Sequence, residues 1–347
     1  MRGRAGRIAA TLCLAGIAAL PARADARRAL ADFKAGRYLE AAAELQAIVD
    51  SSPGYAYGYF LLGHCMLKMS RPGDAEIEFR RAVELDPGRP EYYQGLALAM
   101  KAEADWTRTI QNASEGLART DDPRTRYSLL SLRGYAWGAL QRWSDAVRDL
   151  EAARALRADP WVLVMLGKAH FATGSFRDAV PPLREALAAT PEDPVVLRLL
   201  AESDIRLAAG QPDATRKRLL YVEALEYAQR LTAVAPGELD AVNLVGRAAL
   251  GAGRLPQAEI VFLHVLSRDP RHCYAMINLG RTYMAGRRWD EAEAFLRQAA
   301  ACAPRLAAVH ETMGELFMQR GMTREASIAF RRAEAIEPTT VPVSAPR

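Results

Sequence analysis

A unit of about 34 residues recurs along this chain, and it constrains the fold more than any other feature of the sequence. Each unit can be aligned on a small residue early in its second half. The steps between these residues are 34 in five cases, and 37, 33 and 45 in the others. Chains of this kind pack each unit against its neighbours, so the sequence predicts an array of repeats without a single central core. The nine aligned positions are Ala41, Ala75, Thr109, Ala146, Ala179, Ala224, Ala258, Ala292 and Ala326.

Each unit has the pattern of two helices separated by a turn. Small residues at the eighth and twentieth positions, such as Gly167 and Ala179, let two helix backbones approach closely. Larger apolar residues at helical spacing fill the space between the two helices. A proline close to the end of the unit stops the second helix in most units. These prolines are Pro53, Pro87, Pro191, Pro236, Pro270, Pro304 and Pro338.

These units resemble tetratricopeptide repeats. The last unit shows the pattern well, with Met313, Gly314, Phe317, Ala326, Phe330, Ala333 and Pro338 in order. The resemblance covers roughly residues 25–340. It implies an all-α fold, a right-handed α-solenoid of about nine helix–turn–helix units. It also implies a non-catalytic protein that binds its partners on a surface.

The first residues have a different character. Arg2, Arg4 and Arg7 precede an apolar run over residues 8–20, and small residues lead to Ala24. This order is typical of a secretory signal peptide, which predicts cleavage after Ala24 and a periplasmic or secreted protein. An uncleaved anchor is the alternative. The predicted organisation is a signal peptide over 1–24, a first repeat array over 25–210, a second over 211–340 and a short tail over 341–347.

The balance of charge disfavours a nucleic-acid partner. The whole chain has 46 basic and 41 acidic residues and a net charge of +5. Four of the basic residues lie in the predicted signal peptide, so the mature chain would be close to neutral. Nucleic-acid binding requires a basic surface that neutralises phosphates. We therefore expect a protein or peptide partner.

The sixth unit is about eleven residues longer than the others. Pro212 and Asp213 have the composition of a helix start, and residues 214–234 follow without a helix-breaking residue. One interpretation is a second helix lengthened by about two turns, with Arg216, Lys217 and Arg218 at its tip. The other is a solvated loop insertion. Either would interrupt the regular array near residue 210.

Residues that carry catalytic or metal chemistry are sparse. No phosphate-binding loop, nucleophile elbow or paired metal-binding histidines can be found in the sequence. We therefore predict no enzyme activity, no cofactor and no metal site. Cys273 and Cys302 open and close one unit, where antiparallel helices bring their ends together. They could form a disulfide in an oxidising compartment or remain two free thiols.

The family resemblance also implies where a partner would bind. In tetratricopeptide repeats the first helix of each unit lines a concave groove, and certain positions of that helix face the groove. Transferring those positions to this sequence predicts a lining that is aromatic and aliphatic in its first half and more polar in its second. Two arginines about one repeat apart could grip a carboxylate. The predicted groove residues are Tyr57, Phe60, His64, Tyr135, Trp161, Val164, Lys168, Phe171, Asn243, Arg247, Tyr274 and Arg281.

Two functions are compatible with this surface. The first is a scaffold that holds an extended peptide or protein segment and helps to assemble a bacterial envelope complex, with peripheral association to that complex. The second is a module that handles a polysaccharide or other polymer in an export system, with groove aromatics stacked on sugar rings. Near-neutral charge disfavours a strongly anionic polymer. The sequence leaves the oligomeric state open.

Overall fold

The protein consists of α-helices throughout the part that the structure describes. The computed structural model describes residues 23–336, with the side chains of residues 27–336. This range contains eighteen helices and no β-strand. They are α1 (Arg23–Lys34), α2 (Tyr38–Ser51), α3 (Ala56–Lys68), α4 (Pro72–Leu85), α5 (Pro90–Ala102), α6 (Trp106–Leu117), α7 (Pro123–Ala139), α8 (Trp143–Leu156), α9 (Pro160–Ala172), α10 (Phe176–Ala189), α11 (Pro194–Ala209), α12 (Ala214–Val234), α13 (Leu239–Gly251), α14 (Leu255–Arg268), α15 (Cys273–Ala285), α16 (Trp289–Cys302), α17 (Ala307–Gln319) and α18 (Thr323–Glu334). The predicted all-α solenoid of helix–turn–helix units is confirmed.

The chain divides into two compact units, Met1–Met165 and Leu166–Arg347. The division falls within α9. The sequence instead places a boundary between residues 210 and 211, and that boundary stays a prediction.

Within each unit the helices pack in chain order. In the first unit α1 pairs with α2, α3 with α4, α5 with α6 and α7 with α8. Consecutive hairpins stack, and the first helices α3, α5 and α7 also contact one another in sequence. The second unit repeats this arrangement from α10 to α18, with α11, α13, α15 and α17 in sequence. Side chains on successive first helices can therefore share one face.

The aligned small residues lie at the helix contacts. All nine are buried, with at most 1% of their surface exposed. The phenyl ring of Phe79 on α4 shows why the contact needs small residues. It lies between Gly63 of its own hairpin and Gly95 of the next, and a Cβ atom on either glycine would lie within 3.0 Å of the ring. The close approach predicted from the spacing is present.

The hairpin turns share a backbone conformation. Eight of the nine turns between paired helices within residues 23–336 contain one residue with φ between 56° and 80°. This left-handed conformation lets the last carbonyl groups of the first helix accept hydrogen bonds from the turn. Four of the eight residues are glycines. The others are Ser70, Ala104, Gln141 and Arg287.

The sixth hairpin departs from the pattern as the helical interpretation predicts. Its second helix α12 has 21 residues, whereas the other second helices have 12 to 14. Asp213 caps the helix by accepting a hydrogen bond from the Arg216 backbone N–H at 2.6 Å. The added turns are exposed at Arg216, Lys217 and Arg218. The loop alternative is therefore wrong.

The predicted signal peptide lies almost entirely outside the described residues, since α1 begins at Arg23. The tail over 341–347 also lies outside them. Among the helices of residues 23–336, none is both long and apolar enough to span a bilayer.

Candidate partner-binding surface

Three first helices of the first unit bring a lysine and two aromatic rings together. Lys101 lies in the last turn of α5, Tyr135 on α7 and Trp161 at the start of α9. We call Lys101, Tyr135 and Trp161 the aromatic cluster. Tyr135 and Trp161 are both predicted groove residues, and their rings lie next to each other in the structure.

The geometry of the aromatic cluster is that of a cation held against two π faces. Lys101 Nζ lies 4.6 Å from the centroid of the Tyr135 ring and 5.7 Å from that of Trp161. The two ring centroids are 5.9 Å apart and the rings are inclined by 32°. Both ammonium distances are within the range in which a cation is attracted to an aromatic face.

Trp106 supports the cluster from α6. Its ring meets Tyr135 edge to face, with centroids 5.6 Å apart. This arrangement orients the Tyr135 ring, because edge-to-face pairs favour a defined geometry. Trp161 is 41% exposed, so part of the cluster remains open to solvent.

The charge of Lys101 is incompletely compensated. Burial lowers the pKa of its ammonium group, because desolvation disfavours the charged form. Among the described residues no carboxylate forms an ion pair with it. A carboxylate or carbonyl oxygen from a partner could therefore accept a hydrogen bond from Nζ while apolar groups contact the rings.

Three predicted groove residues at the start of the chain behave differently. Phe60 is only 6% exposed and packs against Phe79 and Tyr92, with centroid distances of 5.9 and 5.2 Å. His64 meets Phe60 edge to face at 4.6 Å, and Tyr57 lies 5.7 Å from Phe60. Rings from α4 and α5 close over Phe60, and its contact with a partner stays a prediction.

His64 also belongs to this aromatic core. Burial, with a smaller contribution from the nearby Lys68 charge, lowers its pKa to about 4. The imidazole is therefore neutral at physiological pH and packs as an aromatic ring. Tyr57 remains half-buried at the edge of the core.

In the second unit, two predicted groove residues are used internally. Asn243 is 8% exposed, and its side-chain oxygen accepts a hydrogen bond from Asn278 Nδ2 at 3.3 Å. Arg247 donates to Glu202 at 3.1 Å. Asn243 therefore joins α13 to α15. Glu202 already neutralises Arg247, and the grip of Arg247 and Arg281 on a partner carboxylate stays a prediction.

The other predicted positions keep exposed surface. Val164, Lys168, Phe171 and Arg281 are partly exposed, and Tyr274 is 50% exposed. Phe171 packs edge to face on Phe176 at 5.3 Å. Their contact with a partner stays a prediction.

The cysteines predicted as neighbours are paired. Cys273 is the first residue of α15 and Cys302 the last of α16. Their Cα atoms are 6.2 Å apart and the structure joins them as a disulfide. Cys65 is a buried free thiol whose pKa burial raises to about 12. No cluster of three metal-binding side chains is present in residues 27–336.

Sequence reasoning missed two members of this surface. Lys101 occupies a groove-facing position of the third unit, and the repeat register could have identified it. The sequence predicts only a structural role for Trp106, because Trp143 and Trp289 occupy the same position in other units. Only the structure shows that its edge orients Tyr135.

Comparison with known families identifies the repeats. Four models described as tetratricopeptide repeat match residues 32–99, 160–203, 200–272 and 275–306, together more than half of the chain. The chain belongs to the tetratricopeptide repeat family. No curated protein sequence matches it.

Solved structures show the same fold for this tetratricopeptide repeat protein. A tetratricopeptide repeat protein from Parabacteroides merdae ATCC 43184 is 14% identical, with a TM-score of 0.57 over 72% of this chain and 94% of that one. The C-terminal part of a repeat protein from Cytophaga hutchinsonii is 17% identical, with a TM-score of 0.55 over 73% and 99%. At these identities the similarity concerns the fold alone.

Proposed function

We propose that this tetratricopeptide repeat protein is a non-catalytic scaffold that binds an extended segment of a partner protein at the aromatic cluster. Tetratricopeptide repeat proteins are generally scaffolds for protein interaction. The observation that carries the proposal is the contact of Lys101 with both Tyr135 and Trp161, which lie on successive first helices. Together they offer two apolar faces and one hydrogen-bond donor.

The energetics favour a peptide at such a place. Tryptophan and tyrosine contribute large contact areas at low cost in side-chain entropy, and they dominate many interfaces. An extended peptide also presents a row of carbonyl oxygens, one of which can accept from Lys101 Nζ. Trp161 keeps 41% of its surface exposed for this contact.

The proposed site of action is the bacterial envelope, in the periplasm. Residues 1–24 have the pattern of a secretory signal peptide. Production of the full chain with a C-terminal tag, followed by fractionation and N-terminal sequencing, tests the export. A mature protein that begins at Asp25 in the periplasmic fraction is expected, and an uncleaved cytoplasmic chain would contradict it.

Peptide selection followed by calorimetry tests the binding function. Peptides from a random display library are selected on the purified protein, and their affinity is compared between wild type and Trp161→Ala. We expect a loss of at least about tenfold, the effect of removing a central aromatic anchor. Ile77→Ala is the control, because Ile77 is an exposed apolar residue on the second helix α4 and is 64% exposed. It should retain the wild-type affinity.

The same titrations distinguish the polymer function. Neutral and acidic oligosaccharides are titrated into the same protein. Saturable oligosaccharide binding that Trp161→Ala abolishes, without selection of any peptide, would replace the scaffold proposal. Equal peptide affinity in wild type and Trp161→Ala would exclude the aromatic cluster as the binding surface.

A further inference from the structure

The two added turns of α12 help to form a cavity. The other hairpins lack these turns in their sequences. The cavity has a volume of about 400 Å³ and lies within the second unit, between α10, α11 and the start of α12. The loop from Gly210 to Pro212 and the added residues Arg216 and Leu220 contribute to its lining. A regular unit has no residues equivalent to these two turns. The volume of the cavity is in the range of small-ligand sites.

Arginine dominates the polar lining. Arg177, Arg184, Arg206 and Arg216 all lie around the cavity, whereas Asp204 is the one carboxyl group in the lining. Arg184 Nη2 donates to Glu223 at 2.7 Å. The guanidinium groups of the other three arginines form no ion pair with any described residue. Three uncompensated cations around one cavity repel one another, and an anion between them would relieve the repulsion.

Asp204 is the buried carboxyl group of this lining. Its side chain is 1% exposed, and Oδ2 has no hydrogen-bond partner in the described structure. A buried carboxyl oxygen without a partner is costly, and such groups are uncommon in folded proteins. The added helix turns thus complete a cavity in which a positive rim surrounds an unsatisfied carboxyl group.

We propose that this cavity binds a small oxyanion ligand, carrying a carboxylate or a phosphate, between Arg177, Arg206 and Arg216. The guanidinium group suits either anion, because its fork of N–H donors matches two oxygens at once. Apolar side chains of Val180, Leu207 and Leu220 line the remainder and would contact the body of the ligand. The site goes beyond the scaffold function and shares no residue with the aromatic cluster.

The protonation of Asp204 couples this site to pH. Burial and, to a smaller extent, the Glu223 carboxylate on α12 raise the pKa of Asp204, and Arg184 on α10 lowers it, which gives a pKa of about 7. The other titratable or charged groups on this side are Tyr227 and Arg216 on α12, Arg206 on α11 and Arg177 on α10. Below pH 7 the carboxyl group is neutral and the lining is more positive. The affinity for a carboxylate such as glucuronate, which stays ionised over this range, therefore increases as the pH falls from 8 to 6.

Calorimetry at low ionic strength tests the site with three probes, inorganic phosphate, D-glucuronate and neutral D-glucose. We expect saturable binding of phosphate or glucuronate and none of glucose. The anion that binds with the higher affinity identifies whether the ligand carries a phosphate or a carboxylate. Arg216→Gln and Arg177→Gln should each lower the affinity about tenfold, since each removes a charge-assisted hydrogen bond. Both residues are exposed and unpaired, so both variants should fold, as circular dichroism would verify.

Arg218→Gln is the matched control. Arg218 lies on the same exposed end of α12, two residues from Arg216, and outside the cavity lining. It should bind the anion like wild type. Asp204→Asn should bind glucuronate equally at pH 6 and pH 8.

Two results would overturn the proposal. One is the absence of saturable binding of both anions. The other is the same loss of affinity in Arg218→Gln as in Arg216→Gln, which would indicate attraction by general charge. Trp161 does not line the cavity, so Trp161→Ala should bind the anion like wild type. This result would distinguish the cavity from the aromatic cluster, where the same variant should lose peptide binding.

Discussion

Arg133 of α7 holds Asp149 of α8 by two parallel hydrogen bonds. Nε donates to Oδ2 at 2.7 Å and Nη2 donates to Oδ1 at 2.8 Å. The remaining Nη1 donates to Ser114 Oγ on α6 at 3.0 Å. The Asp149 side chain is 5% exposed, so the pair is shielded from solvent. One side chain thereby connects two consecutive hairpins of the first unit.

Removal of Arg133 should therefore be costly. Arg133→Ala leaves the Asp149 carboxylate buried without a partner, and we expect the free energy of unfolding to fall by about 3 kcal/mol. Urea denaturation followed by circular dichroism measures it. Arg148→Ala is the control, because Arg148 forms an exposed ion pair with Asp145 at 3.2 Å and should change stability by less than about 1 kcal/mol. Similar losses in the two variants would contradict the role of the shielded pair.

The contacts of Phe79 predict an effect of glycine substitution. In Gly63→Ala the new Cβ would lie 2.8 Å from the Phe79 ring and force a shift in a fully buried side chain. We expect a net loss of about 1–2 kcal/mol, despite the gain in helix propensity. Gly54→Ala has no atom within 4 Å of the new Cβ and serves as control. Thermal unfolding compares the two, and unchanged stability in Gly63→Ala would show that the ring moves freely.

The turn at Ala104 predicts a stabilising substitution. Ala104 has φ of 59°, a conformation that costs a residue with a Cβ about 1 kcal/mol. Ala104→Gly should raise the free energy of unfolding by a similar amount. Ala102→Gly, at the end of α5, should lower it, because glycine weakens a helix. A lower free energy of unfolding in both variants would contradict this prediction. It would show that the greater conformational entropy that glycine gives the unfolded chain outweighs the relief of strain at residue 104.

The environment of His64 predicts a dependence on acid. The folded-state pKa of about 4 lies below the ordinary value of 6.5, so the unfolded chain binds a proton first as the pH falls. The contribution to stability is complete above about pH 6.5 and declines by up to about 3 kcal/mol towards pH 4. Urea midpoints at pH 7.5 and pH 5 measure the decline. The decline in stability between the two pH values should be smaller in His64→Gln. It should be the same as in wild type in His264→Gln, which alters an exposed histidine.

The disulfide predicts a difference between reducing and oxidising conditions. The bridge closes a loop with a sequence separation of 29 residues, and it should stabilise the protein by about 3 kcal/mol. The intact mass should be lower by two hydrogens than after reduction. Dithiothreitol should lower the thermal midpoint of wild type and leave that of the Cys273→Ser/Cys302→Ser variant unchanged. Two free thiols in protein isolated from the periplasm would contradict the bridge.

Several features could be predicted from local sequence alone. Ala41 and Ala326 lie at opposite ends of the array, and both are fully buried as the 34-residue register requires. The extended α12 could also be predicted, because the residues after Asp213 contain no helix breaker. These predictions depend on the spacing of small and apolar residues within a helix, which needs no knowledge of neighbouring hairpins.

The candidate binding surface was only partly predictable. Phe60 and Tyr135 both occupy groove positions of the repeat, yet Phe60 is covered by Phe79 and Tyr92 while Tyr135 contacts Lys101. Arg247 likewise meets Glu202, which is 45 residues away in the chain. Position in the repeat indicates the direction of a side chain. Its exposure depends on the sizes and charges of residues in the adjacent hairpins.

The sequence by itself determined the period, the helical hairpins and the burial of the small residues, because each follows from contacts repeated at constant spacing. It also determined the extra turns of α12, because no helix-breaking residue follows Asp213. Only the tertiary structure decided which side chains remain available to a partner or ligand. The aromatic cluster and the arginine-lined cavity both depend on residues from three elements that meet only after the hairpins stack. Their chemistry arises from side-chain packing between units, and no single repeat encodes it.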